Sequence, residues 1–549
     1  MKGNLSEHLG FIGVGFAGLL IFVMFYSSAF PEASIDIGIT NRDALEMSEN
    51  FLVSSNFSLE GYESAVRFDS FGEAVVYLQK EMGIEKANEV MRNEVELWFF
   101  RSRFFMPLEK TEYTVLVSPK DGELVAFSQE LLDEHAGASI DVDEAEVIAL
   151  EFLSEMDVDV SEFDMILTSS EEMTNRVDHD FKWEKKDCSF VNATYRVDVS
   201  VYGDYVGYYK KYLYVPESFG RDYQNERSYG VVLSLVSFVF MLILVILSFG
   251  VFVVMYKKND VRMKFAVWIA GIVGVLVVLD MVNSLGLIFS NYPTTISKSV
   301  FLTTLFITTV IGAIVYMVII AMIGISGEAL SRRVLLKKNS CVTDFFRKVN
   351  SREFAYSSIR GYALGFFFLG YVTLFYLVGR NYFDIWLPAG AGYSNMLNTF
   401  LPFLFPLTVG VLAAVSEEFL FRFFAIPLTK KYTRSMSVAI LVPAIIWALG
   451  HSTYAVFPVY VRAIELTIAG VIFGYMFVKY DILTVLIAHY VIDAVLVGMP
   501  LLMSSNMYYF GSGVIVVGFM LIPAGFAGIG FLQRRYSSKG GYIVKAPIN

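Results

Sequence analysis

Six residues in the last third of the chain have types and spacings suited to hydrolytic chemistry. Ser416-Glu417-Glu418-Phe419-Leu420-Phe421-Arg422 sets two carboxylates side by side, with an arginine four residues after the second. On a helix, Glu418 and Arg422 share a face and pair. Glu417 points about 100° away and keeps its carboxylate free. Trp447-Ala448-Leu449-Gly450-His451 then ends an apolar run in a histidine, and Ala488-His489-Tyr490-Val491-Ile492-Asp493 puts His489 and Asp493 four apart on one helix face. Ionisable groups inside such runs cost several kcal/mol, so each needs a reason to be there. Amide cleavage supplies one. It needs an activated water, a positioned proton acceptor and donors for the tetrahedral oxyanion.

The combination Glu-Glu-x-x-x-Arg, aromatic-x-x-x-His and His-x-x-x-Asp resembles the CAAX protease and bacteriocin-processing family, whose best-known branch is the type II CAAX prenyl endopeptidase. The resemblance covers about residues 362–532, roughly a third of the chain. It implies a glutamate-dependent intramembrane endopeptidase. In that family's scheme Glu417 and His451 activate the water, and His489 with Asp493 forms the oxyanion hole. Glu418 and Arg422 are then supporting groups. The implied partner is a membrane-embedded or lipid-anchored peptide, prenylated CAAX tails being the substrates of one branch. Three positions depart from the family pattern. Trp447 stands where Phe is common, Phe423 where a small residue follows the Arg, and Asp493 where the prenyl endopeptidases have Asn. An ionised Asp cannot donate to an oxyanion. It must be protonated, or act by holding the tautomer of His489. Asp493 and Phe423, which would narrow the pocket, favour the alternative of a non-catalytic membrane scaffold, immunity factor or substrate carrier of the same fold.

The resemblance calls for no cofactor. Glu417, His451, His489 and Asp493 have the ligand types of a zinc site, which leaves a divalent metal open, but there is no His-Glu-x-x-His. A serine peptidase is disfavoured because no Gly-x-Ser-x-Gly occurs. Asp280 with Asn283, and Arg462 with Glu465, are further polar groups in apolar runs. They read as helix–helix hydrogen bonds.

These residues must be positioned by membrane helices. Of 549 residues, 55% are hydrophobic and only 18% charged, against about 25% charged in soluble domains. Mean hydropathy is +0.54. A uniformly basic surface is absent, so a nucleic-acid partner is excluded. Apolar runs long enough for a core of about 30 Å fall near 9–30, 229–256, 265–290, 300–325, 359–378, 396–420, 459–478, 482–499 and 511–532. A shorter run at 437–449 makes ten spans. The first is read as an uncleaved anchor, since it exceeds the roughly 7–15 residues of a signal-peptide core. Basic stretches at 257–264, 331–360, 430–434 and 534–535 all fall on one side when ten spans alternate. That side is the cytoplasm of a plasma-membrane protein, with both termini inside. Cys188 and Cys341 then lie on opposite sides, and no disulfide framework is available.

Residues 31–228 are soluble and acidic in character, and fall outside in this alternation. The segment 44–52 resembles 145–153, each an amphipathic helix, and each is followed by an aromatic alternating segment, 98–128 and then 183–215. Lys120-Asp121-Gly122-Glu123 and Tyr202-Gly203-Asp204 read as hairpin turns. A helix followed by an antiparallel sheet, twice over, resembles PepSY-type modules. The expected architecture is a polytopic all-α membrane bundle with an extracytoplasmic α+β domain inserted between spans 1 and 2. Its parts are an anchor at 1–30, the α+β domain at 31–228 with repeats at about 40–130 and 141–220, helices 2–4 with a basic loop at 229–356, the peptidase-like core at 357–535 and a tail at 536–549. In a chain with Cys188 and Cys341 replaced by Ser, Lys258→Cys and Lys431→Cys are expected to react with an impermeant maleimide from one face, and Ser170→Cys only from the other. Labelling of positions 258 and 431 from opposite faces would break the ten-span order.

Overall fold

The computed structural model describes residues 5–30, 37–336, 349–388 and 394–539. Cys341, much of the basic loop and the tail from residue 540 lie outside them. An apolar helix α1 (Leu5–Ala29) leads into a domain built on one antiparallel sheet. Its helices are α2 (Asn41–Ser54), α3 (Gly72–Met82), α4 (Ile84–Asn93) and α5 (Val142–Glu155). Its strands are β1 (Glu63–Ser70), β2 (Trp98–Phe105), β3 (Glu112–Val117), β4 (Leu124–Glu130), β5 (Phe163–Glu172), β6 (Val177–Phe190), β7 (Ala193–Tyr202) and β8 (Tyr205–Tyr214).

The sheet runs β1-β2-β3-β4-β8-β7-β6-β5. Each half supplies four strands, and the halves meet where Phe127 pairs with Tyr209. The two sheets read from the sequence are therefore one. Both expected turns form, with Gly122 and Gly203 at positive φ as tight hairpins require. Helices α2 and α5 start on side-chain caps from Thr40 and Asp141. They bury Ala44, Ser48 and Leu52, and Ala145, Ala149 and Leu153, at the same four-residue spacing. Strands β1 and β5 go unrecognised in the sequence. They are the edges of the sheet, and β5 is exposed along nearly its whole length, so alternation leaves little mark on it.

The chain then enters the bundle through α6 (Glu217–Lys257), which begins three residues after β8 ends. There follow α7 (Lys264–Asn283), a short α8 (Leu285–Phe289), α9 (Lys298–Val334), α10 (Arg352–Phe383), α11 (Leu404–Thr433), α12 (Met436–Leu449), α13 (Tyr460–Lys479), α14 (Ile482–Met503), α15 (Met507–Met520) and α16 (Ile522–Lys539). Among the described residues nine helices are long and apolar enough to cross a membrane, with Met507–Gly530, shared by α15 and α16, counted as one. This is an integral membrane protein. Helix α12 has only 14 residues, about 21 Å at 1.5 Å per residue, too short for a core of about 30 Å. Helix α1 lies against α10 through small residues. A Cβ on Gly18 would come 2.4 Å from the Phe366 carbonyl oxygen, so only glycine permits this approach.

The sheet domain sits on one end of the bundle. Arg103 donates to the Tyr292 carbonyl at 2.7 Å, and Lys298 pairs with Glu63 at 2.6 Å. Ionic contacts among the basic loops gather at another set of helix ends. There Arg332 bonds Glu328 and Asp260, and Arg360 lies 3.6 Å from Asp481. Within the sheet domain, burial pushes the Glu96 carboxyl up from 4.5 to about 7, aided by Asp121 and opposed by the Ser118 hydroxyl. The folded state therefore holds this proton after the unfolded chain has released it. The stability it contributes is present below about pH 4.5 and is lost as pH rises to about 7. Glu96→Gln is expected to flatten that fall. Thermal unfolding of the sheet domain within the full chain, followed from pH 4 to 8, measures it.

Candidate functional site

Helix α11 is not uniform. It is α-helical to Glu417, π-helical from Glu418 to Ala425, and α-helical again to Thr433. The sequence suggests an ordinary helix here. A π segment widens each turn and re-aims the side chains it carries, and such segments gather at functional sites. All eight of its residues are buried.

Glu418 is fully buried, and Arg422 donates to its Oε1 at 2.9 Å. The same oxygen faces His489 Nδ1 at 2.8 Å. The guanidinium lies over the Trp447 ring at 4.1 Å and near the Phe473 ring at 5.2 Å. Two aromatic faces thus flank a cation that has lost its water. This is the pair expected from the four-residue spacing, and it leaves Glu417 outside it.

Glu417 faces the other way and keeps partial access to solvent. Its Oε2 accepts a hydrogen bond from the Trp447 indole Nε1. A phenylalanine at 447 would have no such donor. The carboxylate lies 3.8 Å from His451 Nε2 and 3.7 Å from His489 Nε2. His451 is held by its other nitrogen, Nδ1, which lies 2.9 Å from the Trp447 carbonyl. Donation from Nδ1 to that carbonyl leaves Nε2 as the acceptor turned toward Glu417.

Asp493 completes the group. Its Oδ2 is 3.3 Å from His489 Nε2. Both nitrogens of His489 therefore face carboxylate oxygens, an arrangement that suits a ring carrying two N–H donors. The structure brings Glu417, Glu418, Arg422, His451, His489 and Asp493 together from two helices and the turn after α12.

Phe423 does not narrow this pocket. Its neighbourhood faces α9, where a Cβ on Gly327 would meet it at about 3 Å, and its ring meets Phe477 edge-on. The π segment turns it away from the carboxylates. Tyr454 is a neighbour that the motifs omit. Its ring centroid is 5.5 Å from that of His451, and the Arg462 guanidinium lies 5.2 Å from it. Arg462 and Glu465 pair at 2.5 Å and bond Tyr376 of α10. Asn283 bonds both the carbonyl and the amide of Leu401, whereas Asp280 Oδ1 has no hydrogen-bond partner among the described residues. Among the described residues, no group of three or more His, Cys, Asp or Glu side chains has the geometry to hold a metal ion.

Residues 399–495 match the family model described as "Type II CAAX prenyl endopeptidase Rce1-like". This part of the chain is similar to the type II CAAX prenyl endopeptidases. The matched segment contains all six residues. The sporulation-killing factor biosynthesis protein SkfC of Bacillus subtilis (strain 168) is 30% identical over 95 residues, which are 17% of this chain and 19% of that protein. The chain thus spans about a fifth of the length of the curated relative it matches. No solved structure matches it significantly.

Within this CAAX-protease-like core, removing Arg422 would leave Glu418 charged and buried with only His489. Arg422→Met is expected to cost on the order of 3–5 kcal/mol. The double variant Arg422→Met/Glu418→Leu should lose less than the single one. Unfolding midpoints of the detergent-solubilised chain give the comparison.

Proposed function

We propose that the chain is an intramembrane endopeptidase that hydrolyses a peptide bond of a membrane-embedded or lipid-anchored substrate, with prenylated CAAX-type tails as one candidate class. The observation that carries this reading is the Glu417 carboxylate lying 3.7 and 3.8 Å from two imidazole nitrogens, on two helices and a turn of an integral membrane protein. Such separations exceed a hydrogen bond and leave room for a bridging water. The family match over the same residues supports the reading.

In the proposed reaction, Glu417 accepts a proton from a water that is also held at His451 Nε2. The water oxygen attacks the carbonyl carbon and the C–O electron pair moves onto oxygen. His489, held at Nδ1 by Glu418, donates to that oxyanion the Nε2–H that Asp493 orients from 3.3 Å. Collapse breaks the C–N bond, and Glu417 returns its proton to the leaving amine. Asp493 is then a holder of His489 and not itself a donor, which accommodates its departure from Asn. Glu418 and Arg422 position the ring and do not touch the water.

The topology belongs to the same proposal. With α12 and the turn through residue 459 together making one crossing, ten spans put both termini and the basic loops in the cytoplasm, and residues 31–228 outside as two fused repeats. The matching burial of Ala44 and Ala145, and of Leu52 and Leu153, supports the repeats.

Glu417→Gln keeps the shape and the Trp447 contact but cannot take the proton. Cleavage is expected to fall at least about a thousandfold while the chain stays folded. Comparing membrane peptides in cells carrying the wild-type or Glu417→Gln chain would reveal the substrate as the species left uncut. Unchanged processing of every membrane peptide would sink the mechanism.

A further inference from the structure

His451 stands on an unusual support. It lies in the turn after α12, a helix that ends too early to reach the far side of a membrane core. The last carbonyls of a helix have no partner within it, and away from water they must be satisfied by the protein. Here the backbone tightens, with Gly450 N–H going to the Trp447 carbonyl and His451 N–H to that of Ala448. The Ile446 and Gly450 carbonyls are met from α6. Ser237 Oγ donates to the Ile446 carbonyl at 2.6 Å, and Ser234 Oγ to the Gly450 carbonyl at 3.2 Å. Gly230, one turn earlier on the same face, lies so close that a Cβ would sit 2.2 Å from the Ser452 carbonyl oxygen. Three small residues spaced three and four apart thus form one stripe that holds both sides of His451.

The same helix is the rigid outlet of the sheet domain. It begins three residues after β8, with Phe219 and Tyr223 in its first turns. The Tyr223 ring is 5.3 Å from that of Phe457, six residues beyond His451. Val76 of α3 joins this cluster with Val459, and Trp386 clamps Phe457 by a two-way backbone bridge. Both ends of the segment 450–459 therefore rest on the sheet domain or on the helix that leaves it.

We infer that Ser237, Ser234 and Gly230 are positioning residues for His451, and that through them and Tyr223 the seating of the sheet domain sets the geometry of the site. This rests on the proposed function only in taking His451 as the reactive group. None of the four lies in the matched segment, and none touches the carboxylates.

The test uses the full chain in nanodiscs and needs no substrate. Diethyl pyrocarbonate modification of His451 and His489 is read by mass spectrometry, together with amide exchange over residues 450–453. The variants are Ser234→Ala/Ser237→Ala, Gly230→Val and Tyr223→Ala. The inference expects the His451 rate to change about threefold or more, and exchange over 450–453 to quicken about tenfold, with His489 at its wild-type rate. Tyr223→Ala should act in the same direction as the serine pair, though it is more than a helical turn away. Unchanged His451 in the folded variants overturns the inference. So does an equal change at both histidines, since that reports general loosening. These outcomes stay readable if Glu417→Gln leaves processing intact, so failure of the peptidase reading and failure of this one are separable.

Discussion

A carboxylate taken out of water inside an apolar bundle must find its counter-charge and its donors in the protein, and Glu418 imposes this demand on everything around it. At zero exposure it draws Arg422 from its own helix and His489 from α14 onto one oxygen. Arg422 in turn needs cover for its charge and takes the faces of Trp447 and Phe473. Helices α11, α12, α13 and α14 are thereby fastened at one level. Mutual attraction in a low-dielectric interior offsets the desolvation of each group only when the geometry is good, so the arrangement admits little slack. Glu417 profits from that rigidity without sharing in the neutralisation.

The π segment is the backbone's answer to the same demand. Adjacent residues on an α-helix diverge by about 100°, yet the two glutamates must serve one cluster while the bulky side chains Phe419, Phe421, Phe423 and Phe424 pack elsewhere. The break begins at Glu418, directly after Glu417. It leaves Glu417 at the end of a regular helix and rotates the side chains beyond it, so Phe423 lies against Gly327 and not in the pocket.

Helix α12 meets a different constraint. Ending a helix within a membrane core exposes carbonyls that only protein can satisfy. The serines of α6 do so at the turn carrying His451. The sheet domain and the candidate site, far apart in the chain, thus share one continuous helix. Tyr454 and Arg462 extend this polar neighbourhood toward the buried Glu465–Tyr376 group.

Much of this was legible in the residues. Apolar runs mark the helices because a lipid solvent tolerates few other compositions. The pairing of Glu418 with Arg422 follows from four-residue spacing, and the hairpins at Gly122 and Gly203 from turns that need positive φ. Local chemistry determines such features, so one segment at a time suffices to read them. The edge strands β1 and β5, the joining of two half-sheets at Phe127 and Tyr209, and the π segment depend on partners distant in sequence. So does the meeting of Glu417 with His451 and His489, which lie 34 and 72 positions further along. Each motif alone names residue types, whereas the separations of 3.7 and 3.8 Å exist only because a buried charge elsewhere holds the helices together.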